Sequence, residues 1–389
     1  MKEPKIRFKE FSGEWKTYKI GELTSITTGA TPSTSISSYW DNGKTRWMSS
    51  GELNNRHIYD VKGRITEEGY HSCGTHLIPP YCVLIGLAGQ GKTRGTAAIN
   101  HVELCTNQSI AALLPNPKLF DSSFLYHYID NKYLELRGMS TGDGGRGGLN
   151  KQILLDFEVK LPSMEEQIAL ASYLDSIDTL IQSTTKKIES LKQVKAASSQ
   201  SMFPQEGETT PRVRFKGFEG EWEKVKLGDV LTYEQPSKYL VTNTEYEKSG
   251  VPVLTAGKTF VLGYTSDTFG LYTDLPVIIF DDFTTESKFV DFLFKAKSSA
   301  MKMLNTARDM DVDIKFVYET MKNIRYRVEN HQRHWLSVFS KITIKIPSIS
   351  EQRAIASYFT NLDSQITLQT QRLEKLKQIK SACLDNMFV

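Results

Sequence analysis

Two segments of this chain occur twice, and that duplication limits its architecture more than any other feature. Residues 4–23 (PKIRFKEFSGEWKTYKIGEL) return at 211–230 (PRVRFKGFEGEWEKVKLGDV), an offset of 207 with 10 of 20 positions identical. Residues 162–203 return at 347–388, an offset of 185 with 19 of 42 identical. Between the repeated ends the halves share little sequence, and the second middle is shorter by 22 residues (207 minus 185). The pattern is variable, shared, variable, shared, so two different modules are mounted on one repeated frame.

The length of 389 residues calls for two domains of ordinary size. A hydrophobic fraction of 39% and a charged fraction of 24% fit a soluble globular protein. No run approaches the ~18 apolar residues of a membrane span, and the first residues carry no apolar targeting segment. Cys73, Cys82, Cys105 and Cys383 form no CxxC pair, so a reducing, cytoplasmic setting is expected. The net charge of +3 permits nucleic-acid binding without demanding it.

The second repeated segment reads as a long amphipathic helix. Leu170, Leu174, Ile177, Ile181, Thr184, Ile188, Leu191 and Val194 recur at steps of three and four, close to a heptad seam. Ile355, Phe359, Leu362, Ile366, Gln369, Leu373, Leu376 and Ile379 repeat the spacing. Ser163 with Glu166, and Ser348 with Glu351, have capping-box spacing just after a proline. A helix from Glu165 to Met202 spans roughly 57 Å. Each helix could pack on its own domain alone. Pairing of the two copies is favoured, because a duplicated seam has a partner in its own copy. A pseudo-two-fold axis would make that pair an antiparallel coiled coil. The polar Thr184 and Gln369 at matching seam positions would set its register.

The expected fold is mixed α/β, with a first domain over 1–160 and the central helix over 161–203. A linker at 204–210, a second domain over 211–346 and the distal helix over 347–389 follow. Residues 81–87, 251–254, 277–280 and 342–346 read as strands, and 120–129 and 314–321 as helices. Pro80 and Pro276 precede the first and third of these strands at offset 196, which suggests one strand present in both halves.

Several motifs invite catalytic readings. Gly86 to Thr93 (GLAGQGKT) matches the phosphate-loop pattern, and 277–282 (VIIFDD) resembles its aspartate partner strand. That alternative makes the chain a nucleotide hydrolase. It requires a helix opening at Lys92 to hold phosphate, yet residues 94–99 (RGTAAI) are glycine and β-formers. Residues 78–81 (IPPY) lack the side-chain acceptor of an amino-methyltransferase motif. No Pro-Asp dipeptide supports a nuclease, although Glu158 and Lys160 carry part of its spacing on a strand leading to the central helix. His71, Cys73, His76 and Cys82 fit no standard zinc spacing. No catalytic, cofactor or metal site is assigned to the chain.

Basic and polar loop residues remain. The first middle offers Thr31, Lys44, Arg46, Gln90, Lys92, Arg94 and Arg146, interleaved with Tyr39, Trp40 and Trp47. The second offers Lys238, Tyr239, Lys258, Lys288, His331, Gln332 and Arg333. Lysine and arginine suit phosphates, while Arg and Gln can also read base edges. Their concentration in the non-repeated regions makes these the DNA-contact candidates.

Residues 13–21 and 220–228 open the two halves with Gly-Glu-Trp, and Leu161-Pro162 with Glu166-Gln167 and Ile346-Pro347 with Glu351-Gln352 open the helices. Residues 28–32 (TGATP) with Tyr39, Trp40, Arg46 and Trp47 mark one middle, and 279–284 (IFDDFT) with 288–290 the other. In this arrangement the whole chain resembles the specificity subunit of a type I restriction–modification system. The resemblance implies a non-catalytic protein whose two target-recognition domains each read half of a split double-stranded DNA site, with the helices setting the spacing. It implies two methyltransferase subunits and restriction (translocase) subunits as partners, which use S-adenosylmethionine, ATP and Mg2+. It supplies no base-contacting residues.

Overall fold

The computed structural model describes residues 3–89, 91–139, 148–243, 245–257, 259–324, 326 and 334–389. The chain divides into two units, Met1–Thr185 with Arg372–Val389, and Lys186–Gln371. In the first, strand Lys16–Lys19 pairs antiparallel with Glu158–Leu161, Lys16 facing Leu161. In the second, Glu223–Lys226 pairs with Thr343–Ile346, Glu223 facing Ile346. Each half is thus closed by a strand from its first repeated segment paired with the strand that leads directly into its second.

The dissimilar middles build the same sheets. In the first unit the strand order is Ile26–Thr28, Ile110–Leu113, Val83–Gly86, Ala97–Asn100, His57–Ile58. The second unit has Leu231–Glu234, Met301–Thr306, Val277–Asp281, Ser287–Val290, the same order without the last strand. A three-stranded sheet accompanies each: Gly63–Ile65, Thr45–Met48, Cys105–Thr106, and Val261–Thr265, Val251–Leu254, Lys295–Ala296. In both, the middle strand runs antiparallel to the first neighbour and parallel to the second. The strands that follow Pro80 and Pro276 therefore hold equivalent places. Residues 83–86 and 277–280 are buried throughout, which explains why they are continuous apolar runs rather than alternating ones.

One helix in each unit joins sheet to frame. Ser122–Asn131 starts after Asp121, whose carboxylate caps Phe124 N at 2.8 Å, so it begins two residues later than the apolar pattern suggests. Ile314–Lys322 starts after Asp313, which caps Phe316 N at 2.9 Å. Gln167 Oε1 accepts from Asp121 N at 3.0 Å while its amide donates to Pro162 O at 3.1 Å. Gln352 makes the same two bonds, to Asp313 N at 3.0 Å and Pro347 O at 2.9 Å.

The long helices are Met164–Ser201 and Ile349–Met387. The expected capping box forms only in part. Ser163 Oγ accepts from Glu166 N at 3.4 Å, but the Glu166 carboxylate faces Arg7, which donates from Nε and Nη2 at 2.8 and 2.7 Å. Glu351 is held likewise by Arg214, both bonds at 2.7 Å. A bidentate guanidinium is a stronger partner for a buried carboxylate than one backbone N–H, so the carboxylate turns to it.

Helix pairing and packing on the domain occur together. In the first unit, Lys380 reaches Asp178 and Cys383 reaches Tyr173, so the two helices run antiparallel. In the second, Lys195 pairs with Asp363 and Ser198 with Tyr358, again antiparallel. Leu170, Leu174 and Ile177 join a core with Trp15, Phe124 and Phe388. Ile355 and Phe359 join the corresponding core with Trp222, Phe316 and Phe203. Phe388 lies 6.2 Å from the Trp15 ring, as Phe203 does from Trp222. Burial of one such aromatic ring contributes about 1.5–3 kcal/mol. Ile188 and Leu362 are buried; Ile181, Leu191, Ile366, Leu373 and Leu376 are half-buried; Thr184 is buried and Gln369 half-buried.

Candidate nucleic-acid interface

Among the described basic candidates, Lys44, Lys92 and Arg94 lie in loops between strands, Arg46 and Lys288 on strands, and Lys238 in a short helix. Thr31 sits in the loop before residues 37–39, its hydroxyl donating to Gln108 Oε1 at 2.6 Å. Trp47 Nε1 donates to Ala30 O at 3.0 Å and its ring meets Trp40 edge-on at 5.1 Å, which fixes that loop on strand Thr45–Met48. Lys44 follows a turn in which Asn42 takes φ of +59°, and its side chain is exposed. Arg46 is not free: its Nε donates to Asp60 Oδ1 at 2.9 Å, and Arg64 donates to both Asp60 oxygens at 2.8 and 3.0 Å. The hydrogen bond from Arg46 is the main cause of the lowered Asp60 pKa. Two guanidiniums on one carboxylate leave a net positive patch.

Lys92 and Arg94 lie apart from that group, on the loop between Val83–Gly86 and Ala97–Asn100. This loop overturns the nucleotide-hydrolase alternative. The two strands pair antiparallel, Gly86 N donates to Thr96 O at 3.0 Å and Gly95 N to Gly86 O at 2.8 Å, so the segment is a strand-to-strand turn. No helix opens at Lys92 to present its N–H groups to phosphate. Lys92 itself is exposed, and its carbonyl accepts from Thr96 Oγ1 at 2.6 Å. The aspartates of VIIFDD are structural: Asp281 accepts from Phe283 N at 2.8 Å and Asp282 from Trp335 N at 2.9 Å, with Lys302 3.5 Å away.

In the second unit, Lys238 and Tyr239 end the short helix Pro236–Tyr239. Glu234 lies 3.5 Å from the Lys238 ammonium and accepts from Tyr239 OH at 3.1 Å. Lys288 is half-buried on the edge strand Ser287–Val290, opposite Ile279, while Lys238 follows Leu231–Glu234, the strand at the other edge of that sheet. Gln90, Arg146, Lys258, His331, Gln332 and Arg333 lie outside the described residues. Among the described residues, no group of three or more His, Cys, Asp or Glu side chains is placed to hold a metal. The Cys82 thiol is buried, which pushes its pKa up to about 12, and donates to Pro79 O at 3.3 Å.

Sequence reasoning passed over the polar groups that anchor each domain to its helices. His57 Nε2 meets Asp178 Oδ2 at 3.1 Å and its Nδ1 meets His101 Nε2 at 3.1 Å. His127 Nε2 and Ser123 Oγ meet Asp175 at 2.9 and 2.7 Å. Burial lowers the His127 pKa despite that carboxylate. The second unit places Lys315 and Glu319, 2.9 Å apart, in the positions of Ser123 and His127, with Asp363 2.8 Å from Lys315. A signal for half of this was present: Asp178 recurs as Asp363 and Lys195 as Lys380 at the 185-residue offset. The domain-side partners are not repeated.

The family model described as "Type I restriction modification DNA specificity domain" matches residues 12–193 and again 219–378. A type I restriction enzyme specificity subunit of Escherichia coli is 43% identical over 174 residues, 41% of this chain and 43% of that protein. The MjaIX specificity subunit of Methanocaldococcus jannaschii is 27% identical over 262 residues, 61% of this chain and 56% of its own. The chain thus spans about half the length of these relatives. The crystal structure of the type I restriction–modification S subunit from M. genitalium superposes with a TM-score of 0.76 at 15% identity, covering 100% of this chain and 99% of that one, a likeness of fold. Two matches of one family model, one to each half of the duplication, place the chain in the type I restriction–modification DNA specificity family.

Proposed function

We propose that the chain is a recognition scaffold in which each unit reads one half of a split, asymmetric duplex site while the long helices set the gap. One observation carries the reading: two dissimilar middles build the same sheet order on a repeated frame, so the frame is shared and the loops differ. Loops on a rigid scaffold are where recognition residues belong. Lys44, Lys92 and Lys238 would hold phosphates, while Thr31, Arg46, Gln90, Arg94 and Arg146 are the first unit's candidates for the bases. Tyr239, Lys258, Lys288, His331, Gln332 and Arg333 are the second unit's remaining candidates.

Catalysis would belong to partners, two methyltransferase subunits using S-adenosylmethionine and restriction subunits using ATP and Mg2+. Among the described residues no helix is long and apolar enough to cross a membrane, and a cytoplasmic location accords with DNA as the target. The test is to map methylation in DNA from cells expressing the chain with its methyltransferase, then to exchange residues 211–346 for another such domain. Two unlike half-sites, of which only one changes on exchange, are expected. A continuous palindrome, or change in both halves at once, would overturn the reading.

A further inference from the structure

Glu166, Asp178 and Glu189 are the carboxylates of the central helix that recur in the distal helix at the 185-residue offset, as Glu351, Asp363 and Glu374. Among the described residues, only Asp178 and Asp363 of these are bonded to side chains of the dissimilar middles. The donors come from different places. Asp178 Oδ2 meets His57 Nε2 at 3.1 Å, from strand His57–Ile58, the last in the first unit's larger sheet. The larger sheet of the second unit has no such strand among the described residues. There Asp363 Oδ2 accepts instead from Lys315 Nζ at 2.8 Å, on helix Ile314–Lys322. Ser123, which holds the place of Lys315 in the first unit, bonds Asp175 rather than Asp178. Two unlike donors at non-equivalent positions therefore reach one repeated carboxylate. The same carboxylate also bridges the helix pair, Asp178 to Lys380 at 2.7 Å and Asp363 to Lys195. Each aspartate thus ties three elements together, both long helices and the domain.

We propose that Asp178 and Asp363 are mounting points, positioning residues that fix the tilt of each recognition domain on the helices and so the gap between half-sites, with His57 and Lys315 as the matching donors. The assignment rests on the split-site reading above. A helix pair can set a gap only if the domains do not turn on it. Gln167 and Gln352 bond each domain at the start of its helix. Asp178 and Asp363 lie 11 residues further on, about 16 Å along the axis. One attachment leaves a pivot, whereas a second at that distance removes it. The apolar packing between the two points is non-directional, while a hydrogen bond to a carboxylate is both strong and directional. A domain that tilted would also break the bridge that keeps the helices in register. Any middle that brings its own donor to the carboxylate can be mounted without altering the frame, which accounts for a repeated acid facing unrepeated partners.

The experiment uses the chain assembled with its methyltransferase partners and three duplexes. They carry the mapped half-sites at the native gap and at gaps one base pair shorter and longer. The readout is the ratio of the methylation rate at the native gap to the rate at each altered gap. Only folded complex methylates, so the ratio is independent of how much of a variant folds. The unaltered chain should prefer its native gap. His57→Phe keeps a ring against Tyr126, 5.2 Å away, and removes the donor. It should lower the ratio about tenfold, the scale of one hydrogen bond to a charged group. His57→Gln keeps an N–H and should restore most of the ratio. Lys315→Met and Lys315→Arg should behave likewise from the other half, and the bases read should stay the same. Loss of stability or of rate on all three duplexes, with the ratio intact, would overturn the proposal and leave the aspartates a purely structural role. So would a ratio lowered as far by His57→Gln as by His57→Phe. If the unaltered chain showed no dependence on the gap, the split-site reading itself would fail, whichever residue stood at position 57.

Discussion

Lys380 Nζ lies 2.7 Å from Asp178 Oδ1, joining the end of the distal helix to the first half of the central helix across 202 residues of chain. Its repeat-related counterpart joins Lys195 to Asp363. The first pair is mostly buried, the side chains 13% and 11% exposed, and His57 bonds the same carboxylate. Burial opposes ionisation of Asp178, but the hydrogen bond from His57 and the Lys380 charge prevail and hold its pKa at about 2, against an ordinary 3.8.

A depressed carboxylate pKa stabilises the fold above its unfolded value, so this contribution is complete above pH 3.8 and is lost as pH falls towards 2. The effect is about 2 kcal/mol. Thermal melts from pH 6 to pH 2 should show that acid limb, and Asp178→Asn should flatten it. An equally steep limb in the variant would contradict the assignment.

Arg7 is the only cation bonded to the Glu166 carboxylate among the described residues, and Glu166 is 2% exposed. Arg7→Ala should destabilise the first unit by about 3–5 kcal/mol, because it strands a buried charge. Arg7→Lys should rescue poorly, since an ammonium cannot bond bidentately. The double variant with Glu166→Gln should recover part of the loss in a denaturant titration. Arg214 and Glu351 should behave alike in the second unit.

Four residues inserted into the central helix between Asp178 and Lys195 add about one turn, ~6 Å. The methylated half-sites should move apart by about one to two base pairs, with the bases unchanged. Methylome mapping that found the old gap and new bases would contradict the spacer role.

Lys44, Lys92 and Lys238 are exposed, and Lys288 half-buried. Alanine at any one should weaken binding nearly uniformly across sequences and reduce the slope of log affinity against log salt by about one. Loss of preference at one base without a change of slope would move that residue from phosphate to base contact.

The sequence by itself determined the duplication, the two long amphipathic helices, the strands read at 81–87 and 277–280, and the family, because repeats, period and continuous apolar runs are local properties. Only the tertiary structure decided which ends meet. Arg7 finds Glu166 across 159 residues, and Phe388 returns to Trp15 as Phe203 does to Trp222. The capping-box spacing at Ser163 and Glu166 was legible, yet a guanidinium distant in sequence outcompeted the local bond. The common sheet order of the two middles was nearly invisible, since a sheet constrains burial and hydrogen bonding rather than residue identity. Only the prolines before matching strands hinted at it. Position in space also separated the basic candidates, tying Arg46 to Asp60 and leaving Lys44 and Lys92 on exposed turns.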